Sequence, residues 1–456
     1  MRTATLVLVM SALVAFAPAA WADPSTTYTT WEGDESANWN TAGNWDNGVP
    51  NSNGVQAIFP TLTGFTGSQP TLDVNNRTVE TLRFEDAGGG WTLSGTGMVL
   101  KIQPSVSSGG DGNNAIEDLA TSGTTTIHPD LYLVSWGPFP IVLNGARLEG
   151  QGLKVTRKKS LSVSDGTASF GQLAIDGDGY MRLAGNGTLE LRGAHDGSLT
   201  SACDIQHTDE LTLILGASDA IGSAVYVPSD NSVLEASTDV TLDNEFVFRA
   251  QFSQYAHHFA GDNGITFNGT LTPPSPGGTA VTIDCNIDTT NRVKKLLFTG
   301  DMTLTDRPWD FVGDGDVEFS GDLSGTTTAR SLTRGSGDGT LILSGANTYM
   351  APTQVTDGTL LITGSVEKTS DLTITGGVLD LSSAGLIRVL QSNYTEADAL
   401  ADIGASKIVA DVALGASNVS TYNDGGTNYT QILVPEPATL GLLAVGGLAV
   451  IRRRRR

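Results

Sequence analysis

The chain has 456 residues, of which 55 are glycine, and 49 acidic residues against 26 basic ones give a net charge of −23. A surface of that charge repels nucleic acid and anionic lipid, so nucleic acid is excluded as a partner. Hydrophobic residues make up 39% of the chain, which excludes intrinsic disorder. Short apolar runs separated by Gly, Ser, Thr, Asn and Asp favour an all-β fold with many turns.

Residues 1–22 have the pattern of a secretory signal peptide. Arg2 gives a positive start, residues 4–17 form an apolar run, and Ala20-Trp21-Ala22 fits a cleavage site of the A-x-A type. The mature chain is therefore predicted to begin near Asp23. A membrane anchor is the alternative, which the short run and the cleavage site disfavour.

Residues 23–60 are rich in tryptophan and asparagine and contain Trp31, Trp39 and Trp45. The three rings could form an aromatic platform for a glycan. They could instead seal the first coil of a solenoid, whose strands would otherwise be open to aggregation. We favour the second interpretation and predict an N-terminal cap over this range.

The clearest internal signal is a repeat with a period of 19 residues. Gly339–Leu343 recurs as Gly358–Ile362 and again as Gly377–Leu381. Side chains alternate along a strand, so the first and third apolar residues of each copy point the same way. Stacked copies would bury these residues in two inward columns, which are Leu341, Leu360 and Leu379, and Leu343, Ile362 and Leu381.

The stretch GTLILSGANTYMAPTQVTDGTLLITGS, residues 339–365, resembles the autotransporter-associated β-strand repeat. The resemblance implies a right-handed parallel β-helix, as in autotransporter passenger domains. We therefore expect an all-β solenoid over residues 61–385, clearest at 339–381, with about 13 to 16 coils of ~20–25 residues. The tryptophan-containing segment before it is similar to the opening motif of secreted proteins that carry these repeats.

The two cysteines, Cys203 and Cys285, lie in a chain that we expect to be exported, where disulfides are usual. In a β-helix they would be several coils of ~4.8 Å apart, beyond the ~7 Å between Cα atoms that a disulfide spans. We predict two unpaired, buried thiols.

Three carboxylates form a weak candidate for a calcium site, which is the only cofactor that the sequence indicates. Asp316 and Glu318 would share one face of a strand, and Asp314 precedes them at a glycine-rich corner. Oxygen ligands of this kind suit calcium. Acidic residues are also common at turns, which is the alternative explanation.

No catalytic residue can be assigned, because the chain lacks the motifs G-x-S-x-G, H-E-x-x-H and G-x-x-x-x-G-K. Polysaccharide lyases and hydrolases nevertheless occur on β-helices, and they need clustered ionisable groups. An enzyme of this kind would bring at least three carboxylate or basic side chains from neighbouring coils into one groove.

Residues 386–433 differ in character from the repeats and are predicted to close the solenoid. Thr395 is suited to cap a short helix, with acidic residues in its first turn. The segments SKIVADVAL and TQILV that follow are predicted strands.

The last segment, residues 434–456, has three parts. Pro435, Glu436 and Pro437 are followed by 14 apolar or small residues and then by Arg452, Arg453, Arg454, Arg455 and Arg456. This arrangement closely resembles the PEP-CTERM sorting signal. The resemblance implies recognition by an exosortase, a membrane cysteine protease, with cleavage near the motif.

The apolar run of the tail would hold the chain in the inner membrane only transiently. Fourteen helical residues span ~21 Å, which is shorter than a ~30 Å hydrocarbon core. The terminal arginines would act as a membrane stop on the cytoplasmic side.

These features predict an exported structural or adhesive protein of the cell surface or extracellular matrix. It would be sorted by exosortase and associated with exopolysaccharide, whose production PEP-CTERM systems accompany. The alternative is a β-helical polysaccharide lyase or glycoside hydrolase. The expected partners are exosortase, extracellular polysaccharide and, transiently, the inner membrane.

Overall fold

The computed structural model describes residues 27–104, 114–134, 138–156, 158–229, 231–248, 255–382 and 385–434. The chain is nearly all β, with 47% of residues in strands and 4% in helix, and it forms a β-solenoid of about 14 turns. The predicted parallel β-helix is thus confirmed. The predicted signal peptide and, apart from Val434, the sorting signal lie outside the described residues.

One face of the solenoid begins as an 11-stranded sheet, here called the first sheet. Neighbouring strands in it are parallel, as the pairing of Thr27–Thr30 with Val55–Phe59 illustrates. Parallel pairing therefore already starts within the range predicted to form the N-terminal cap. In spatial order, its strands are Thr27–Thr30, Val55–Phe59, Thr81–Phe84, Ile116–Asp118, Phe139–Val142, Lys159–Ser164, Gly179–Gly185, Cys203–His207, Val225–Pro228, Phe246–Val247 and Leu271–Thr272.

The second sheet has 16 strands and runs along most of the solenoid. Its main path consists of Arg77–Val79, Val99–Ile102, Asp130–Leu133, Arg147–Thr156, Thr167–Asp176, Thr188–Leu191, Thr212–Leu215, Val233–Ala236, Tyr255–Gly261, Val281–Ile287, Trp309–Val312, Leu332–Arg334, Thr353–Val355 and Leu372–Ile374. Thr92–Leu93 and Thr124–Ile127 form a side branch that joins Arg147–Thr156.

The third sheet has eight strands and belongs to the later coils. They are Val240–Leu242, Ile265–Phe267, Lys295–Phe298, Asp316–Phe319, Thr340–Leu343, Thr359–Ile362, Val378–Asp380 and Ile408–Val409. Two smaller sheets accompany it, one of Met302–Thr303 and Leu323–Ser324, the other of Ala346–Asn347, Ser365–Thr369, Leu386–Leu390, Thr427–Leu433 and Val419–Asp424.

The inward columns predicted from the repeat are present. Leu341 pairs with Leu360, and Leu360 pairs with Leu379, in parallel register. All six predicted inward residues have no exposed surface. The residues between them, Ile342, Leu361 and Asp380, are partly exposed. One strand cannot bury its apolar side alone, and stacking in register supplies the missing cover.

Aromatic side chains form a comparable column in the middle of the solenoid. The ring centroids of Phe267 and Phe298 are 5.4 Å apart, and those of Phe298 and Phe319 are 4.9 Å apart, in both cases stacked. The same register that aligns the leucines brings these rings together. Each pair contributes ~0.5–1.5 kcal/mol beyond the area it buries.

The C-terminal end is closed by the predicted helix and by antiparallel pairing. The helix spans Glu396–Gly404, and Thr395 and Asp398 form a capping box at its start. Thr427–Leu433 pairs antiparallel with Leu386–Leu390 and with Val419–Asp424, so the parallel ladder ends here. Among the described residues, 3-10 turns at Ala42–Asn44 and Ala416–Asn418 lie near opposite ends of the solenoid.

Both cysteines are unpaired and buried, as predicted. Cys203 lies in the first sheet and Cys285 in the second. Burial raises the pKa of the Cys285 thiol to about 12. Because the thiolate is the reactive form, this cysteine is chemically inert at neutral pH.

Two histidines are part of the core. His207 bonds through Nδ1 to the hydroxyl of Tyr226 at 2.8 Å and through Nε2 to the carbonyl oxygen of Leu211 at 2.9 Å. His257 packs near the ring of Phe248, and neither of its ring nitrogens has a partner among the described residues. Burial lowers the pKa of both histidines to about 4.

We expect the His257→Leu variant to be less sensitive to acid than the wild type. The folded-state pKa lies below the ordinary value of 6.5, so the unfolded chain takes up the proton first as the pH falls. Stability is therefore lost between pH 6.5 and about pH 4, amounting to about 2 kcal/mol per buried histidine at pH 5. Urea unfolding at pH 7 and pH 5 measures this loss, which should shrink by about that amount in the variant. An equal loss of stability in the wild type and the variant would contradict a lowered pKa of His257 in the folded protein.

Candidate functional site

The three predicted tryptophans are buried at the N-terminal end. Trp31 and Trp39 have no exposed surface and Trp45 is 3% exposed. The ring of Trp45 contacts those of Trp31 and Trp39 edge to face, with centroids 5.0 and 4.8 Å apart. The indole N–H of Trp31 donates to the carbonyl oxygen of Ser68 at 2.7 Å. Rings in this position offer no face to a glycan, which agrees with a role in sealing the first coil.

The three candidate calcium ligands are engaged with other groups. Asp316 forms an ion pair with Arg292, and Glu318 forms one with Lys295. Asp314 accepts a backbone N–H from the next coil at 3.0 Å. Within the described ranges, no group of three or more His, Cys, Asp or Glu residues could hold a metal ion. The donor set at this corner therefore serves ion pairs and turns, and it does not fit calcium.

A groove lies elsewhere, where the strands of the second sheet bend. Phe170 and Leu173 both point inward although three positions separate them, so the strand Thr167–Asp176 bends between them. Glycine at the bend is required by close packing of the coils. A Cβ atom on Gly171 would lie 2.5 Å from the carbonyl oxygen of Gln151, which is too close for any side chain.

Two adjoining, half-open cavities of about 310 and 400 Å³ form this groove and share Asp130 and Gln172. The first is lined by Asn76, Val99, Lys101, Asp130, Leu131, Tyr132, Gly152, Leu153, Lys154, Gln172, Ala174 and Asp196. The second is lined by Thr96, Gly97, His128, Asp130, Gln151, Gly171, Gln172, Gly193 and Ala194.

One wall of the groove is held together by side-chain contacts. Lys101, Tyr132 and Lys154 occupy paired positions on successive strands. The Tyr132 hydroxyl donates to Asp176 at 2.5 Å, and the Lys154 ammonium lies 3.8 Å from the same carboxylate. The ammonium is also 5.3 Å from the centre of the tyrosine ring. Burial and the Asp176 carboxylate raise the pKa of Tyr132 to about 12, so its hydroxyl stays protonated.

Asp130 differs from the other acidic residues of the groove. No donor in the described part of the chain reaches its carboxylate, and partial burial alone raises its pKa. Gly152 lies directly beneath it, since a Cβ there would be 2.6 Å from Asp130 Oδ1. The carboxylate is thus available to a ligand in the groove.

No motif in the sequence predicts this groove. Lys101, Tyr132 and Lys154 are 31 and 22 positions apart, so they follow no fixed period. The signal that could have revealed the groove is local: each of these three residues directly precedes an inward-facing residue of its own strand. Aligning the irregular coils on those inward residues would have placed the three side chains in one row.

Comparison with known families gives two matches. Residues 336–362 match the passenger-associated-transport-repeat family, and residues 433–456 match the PEP-CTERM protein-sorting motif. The chain carries a PEP-CTERM sorting motif. Both resemblances seen in the sequence are therefore confirmed. Neither a curated protein nor a solved structure matches this chain.

Together the two matches point to an exported, exosortase-sorted β-solenoid protein of the cell surface. In the residues that the structure describes, no helix has both the length and the apolar character needed to cross a membrane. The apolar run of the sorting motif lies outside those residues.

Proposed function

We propose that this chain is a structural or adhesive component of the cell surface or extracellular matrix that associates with exopolysaccharide. The match of residues 433–456 to the sorting motif carries the proposal. The resemblance to PEP-CTERM proteins implies a sorting system that accompanies exopolysaccharide production. Pro435, Glu436 and Pro437 would be the recognition motif. The arginines at positions 452–456 would hold the tail in the inner membrane until cleavage.

The solenoid supports a role in an extracellular matrix. Its coils bury two leucine-rich columns and leave a long outer wall that many polymer segments can contact. The buried Trp31, Trp39 and Trp45 would form an N-terminal cap over residues 23–60, and residues 386–433 would form the C-terminal cap. Sealed ends prevent strand addition between copies, which suits a protein kept at high local concentration.

A second candidate function, a polysaccharide lyase or glycoside hydrolase, is favoured by one observation. Lys101, Asp130, Lys154 and Asp196, from neighbouring coils, line the same cavity. This meets the requirement for at least three ionisable side chains in one groove. Because its pKa is raised, Asp130 is the residue best suited to transfer a proton there.

Incubation of residues 23–434 with the producing cell's own exopolysaccharide separates the two functions. Co-sedimentation reports binding, and size-exclusion chromatography reports the chain length of the polymer. We expect binding with no change in chain length. Shortened chains would establish the enzymatic alternative, and absence of binding would contradict both functions.

A further inference from the structure

We propose that the groove between Asp130 and Gln172 binds an uncharged, hydroxyl-rich polysaccharide segment laid across successive coils. The inference rests on the proposed function and deepens it, because it names the place of binding and the chemical class of the polymer.

The direction of the groove suits a polymer better than a single sugar. Val99, Asp130, Gly152 and Gln172 lie at neighbouring positions on four successive strands, and Asn76, which precedes the strand Arg77–Val79, adds a fifth coil through its backbone N–H to Val99. Four steps of about 4.8 Å between coils make a path of ~19 Å. An extended chain of several sugar units fits a path of this length.

The floor of the groove is bare backbone. Gly171 can carry no side chain, since a Cβ there would lie 2.5 Å from the Gln151 carbonyl oxygen. A Cβ on Gly152 would lie 2.6 Å from Asp130 Oδ1 and would displace that carboxylate. A ligand can therefore approach the main chain closely between the polar walls. A small number of placed polar groups is enough to fix the orientation of a ligand in such a site.

The charges of the groove select against a polyanion. Lys101 and Lys154 balance Asp130 and Asp196 in the first cavity, while the whole chain carries a net charge of −23. The long-range field repels a polyuronate, and no local excess of positive charge offsets the repulsion. An uncharged polymer meets no such penalty.

The polar side chains of the groove match hydroxyl groups. The Asp130 carboxylate accepts hydrogen bonds, the lysine ammonium groups donate them, and the Gln172 amide does both. Lys154 and Tyr132 are already fixed by Asp176. Less side-chain entropy is therefore lost when the polymer binds.

The test uses the full chain and two probes, the neutral and the acidic fractions of the producing cell's exopolysaccharide, separated by anion exchange. Calorimetry gives the affinity for each. We expect the neutral fraction to bind more tightly. Asp130→Ala and Gln172→Ala should each weaken binding about 10-fold, the effect of losing one hydrogen bond to a charged or amide group.

Asp411→Ala and Gln206→Ala are matched controls, because these residues lie outside the groove, and both should bind like the wild type. Asp130→Asn keeps the shape of the side chain and should also bind more weakly. Weaker binding by both Asp130 variants would therefore not be explained by misfolding of the alanine variant.

Wild-type affinity in the Asp130 and Gln172 variants would contradict the groove as the binding site while leaving the proposed function intact. Tighter binding of the acidic fraction would overturn the chemical class. If neither fraction binds the wild type, the proposed function itself fails.

Discussion

The Arg334→Met variant is expected to lose about 4 kcal/mol of unfolding free energy, a large effect for one substitution. Arg334 is only 2% exposed, and its guanidinium bonds to backbone carbonyl oxygens at a glycine-rich corner. The acceptors, at 2.6–3.1 Å, belong to Phe311, Gly313, Gly335, Ser336, Gly337 and Gly339. Methionine fills a similar volume but donates nothing. The carbonyl oxygens of Gly335 and Gly337 lose the donor that Arg334 supplies, whereas the other four still accept a backbone N–H.

Urea unfolding combined with limited proteolysis measures this effect, because the corner can open without unfolding the remaining coils. Arg330→Met is the matched control. Arg330 is half exposed and lies 3.8 Å from Asp306, so its removal should change stability by less than about 0.5 kcal/mol. Equal stability of the two variants would show that the carbonyl contacts of Arg334 carry no net stability.

The Leu360→Ala variant is expected to lose about 3 kcal/mol of local stability. Leu360 is fully buried between Leu341 and Leu379 in one inward column, and its truncation leaves a cavity that the stacked coils cannot close. Hydrogen exchange of the amides in Thr340–Leu343 and Thr359–Ile362 should accelerate about 100-fold.

Leu361→Ala is the control for this prediction, since Leu361 is the next residue of the same strand and points towards solvent. Its replacement removes the same atoms and should change exchange less than about threefold. Similar acceleration of hydrogen exchange in both variants would mean that the alternation of side chains along the strand does not determine which of them are buried.

The sequence predicts the fold best where the coils have equal length. The 19-residue period fixed which leucines point inward, and the structure places all of them in the core. Upstream, loops change the spacing from coil to coil, as between Lys101 and Tyr132. Inward pairs such as Leu189 and Leu191 are buried there too, because alternation within a strand does not depend on loop length.

Two features could not be predicted from sequence patterns. Arg334 looks like any charged residue beside a glycine-rich turn, and only the corner geometry shows that it is buried against carbonyl groups. The groove likewise depends on residues from successive coils that no motif connects. By contrast, the acidic run at 314–318 suggested a site, yet neighbouring Arg292 and Lys295 pair with its carboxylates. Local composition revealed the carboxylates and not the cations on adjacent coils.

The proposed function requires that the solenoid act outside the cell after its tail is processed. The most direct test compares the wild type with a variant in which Pro435, Glu436 and Pro437 are changed to alanine, by cell fractionation and intact mass in the producing organism. We predict that the wild type is found outside the inner membrane without residues 1–22 or its arginine-rich tail, whereas the variant stays uncleaved in the inner membrane. Normal surface delivery of the alanine variant would contradict the account.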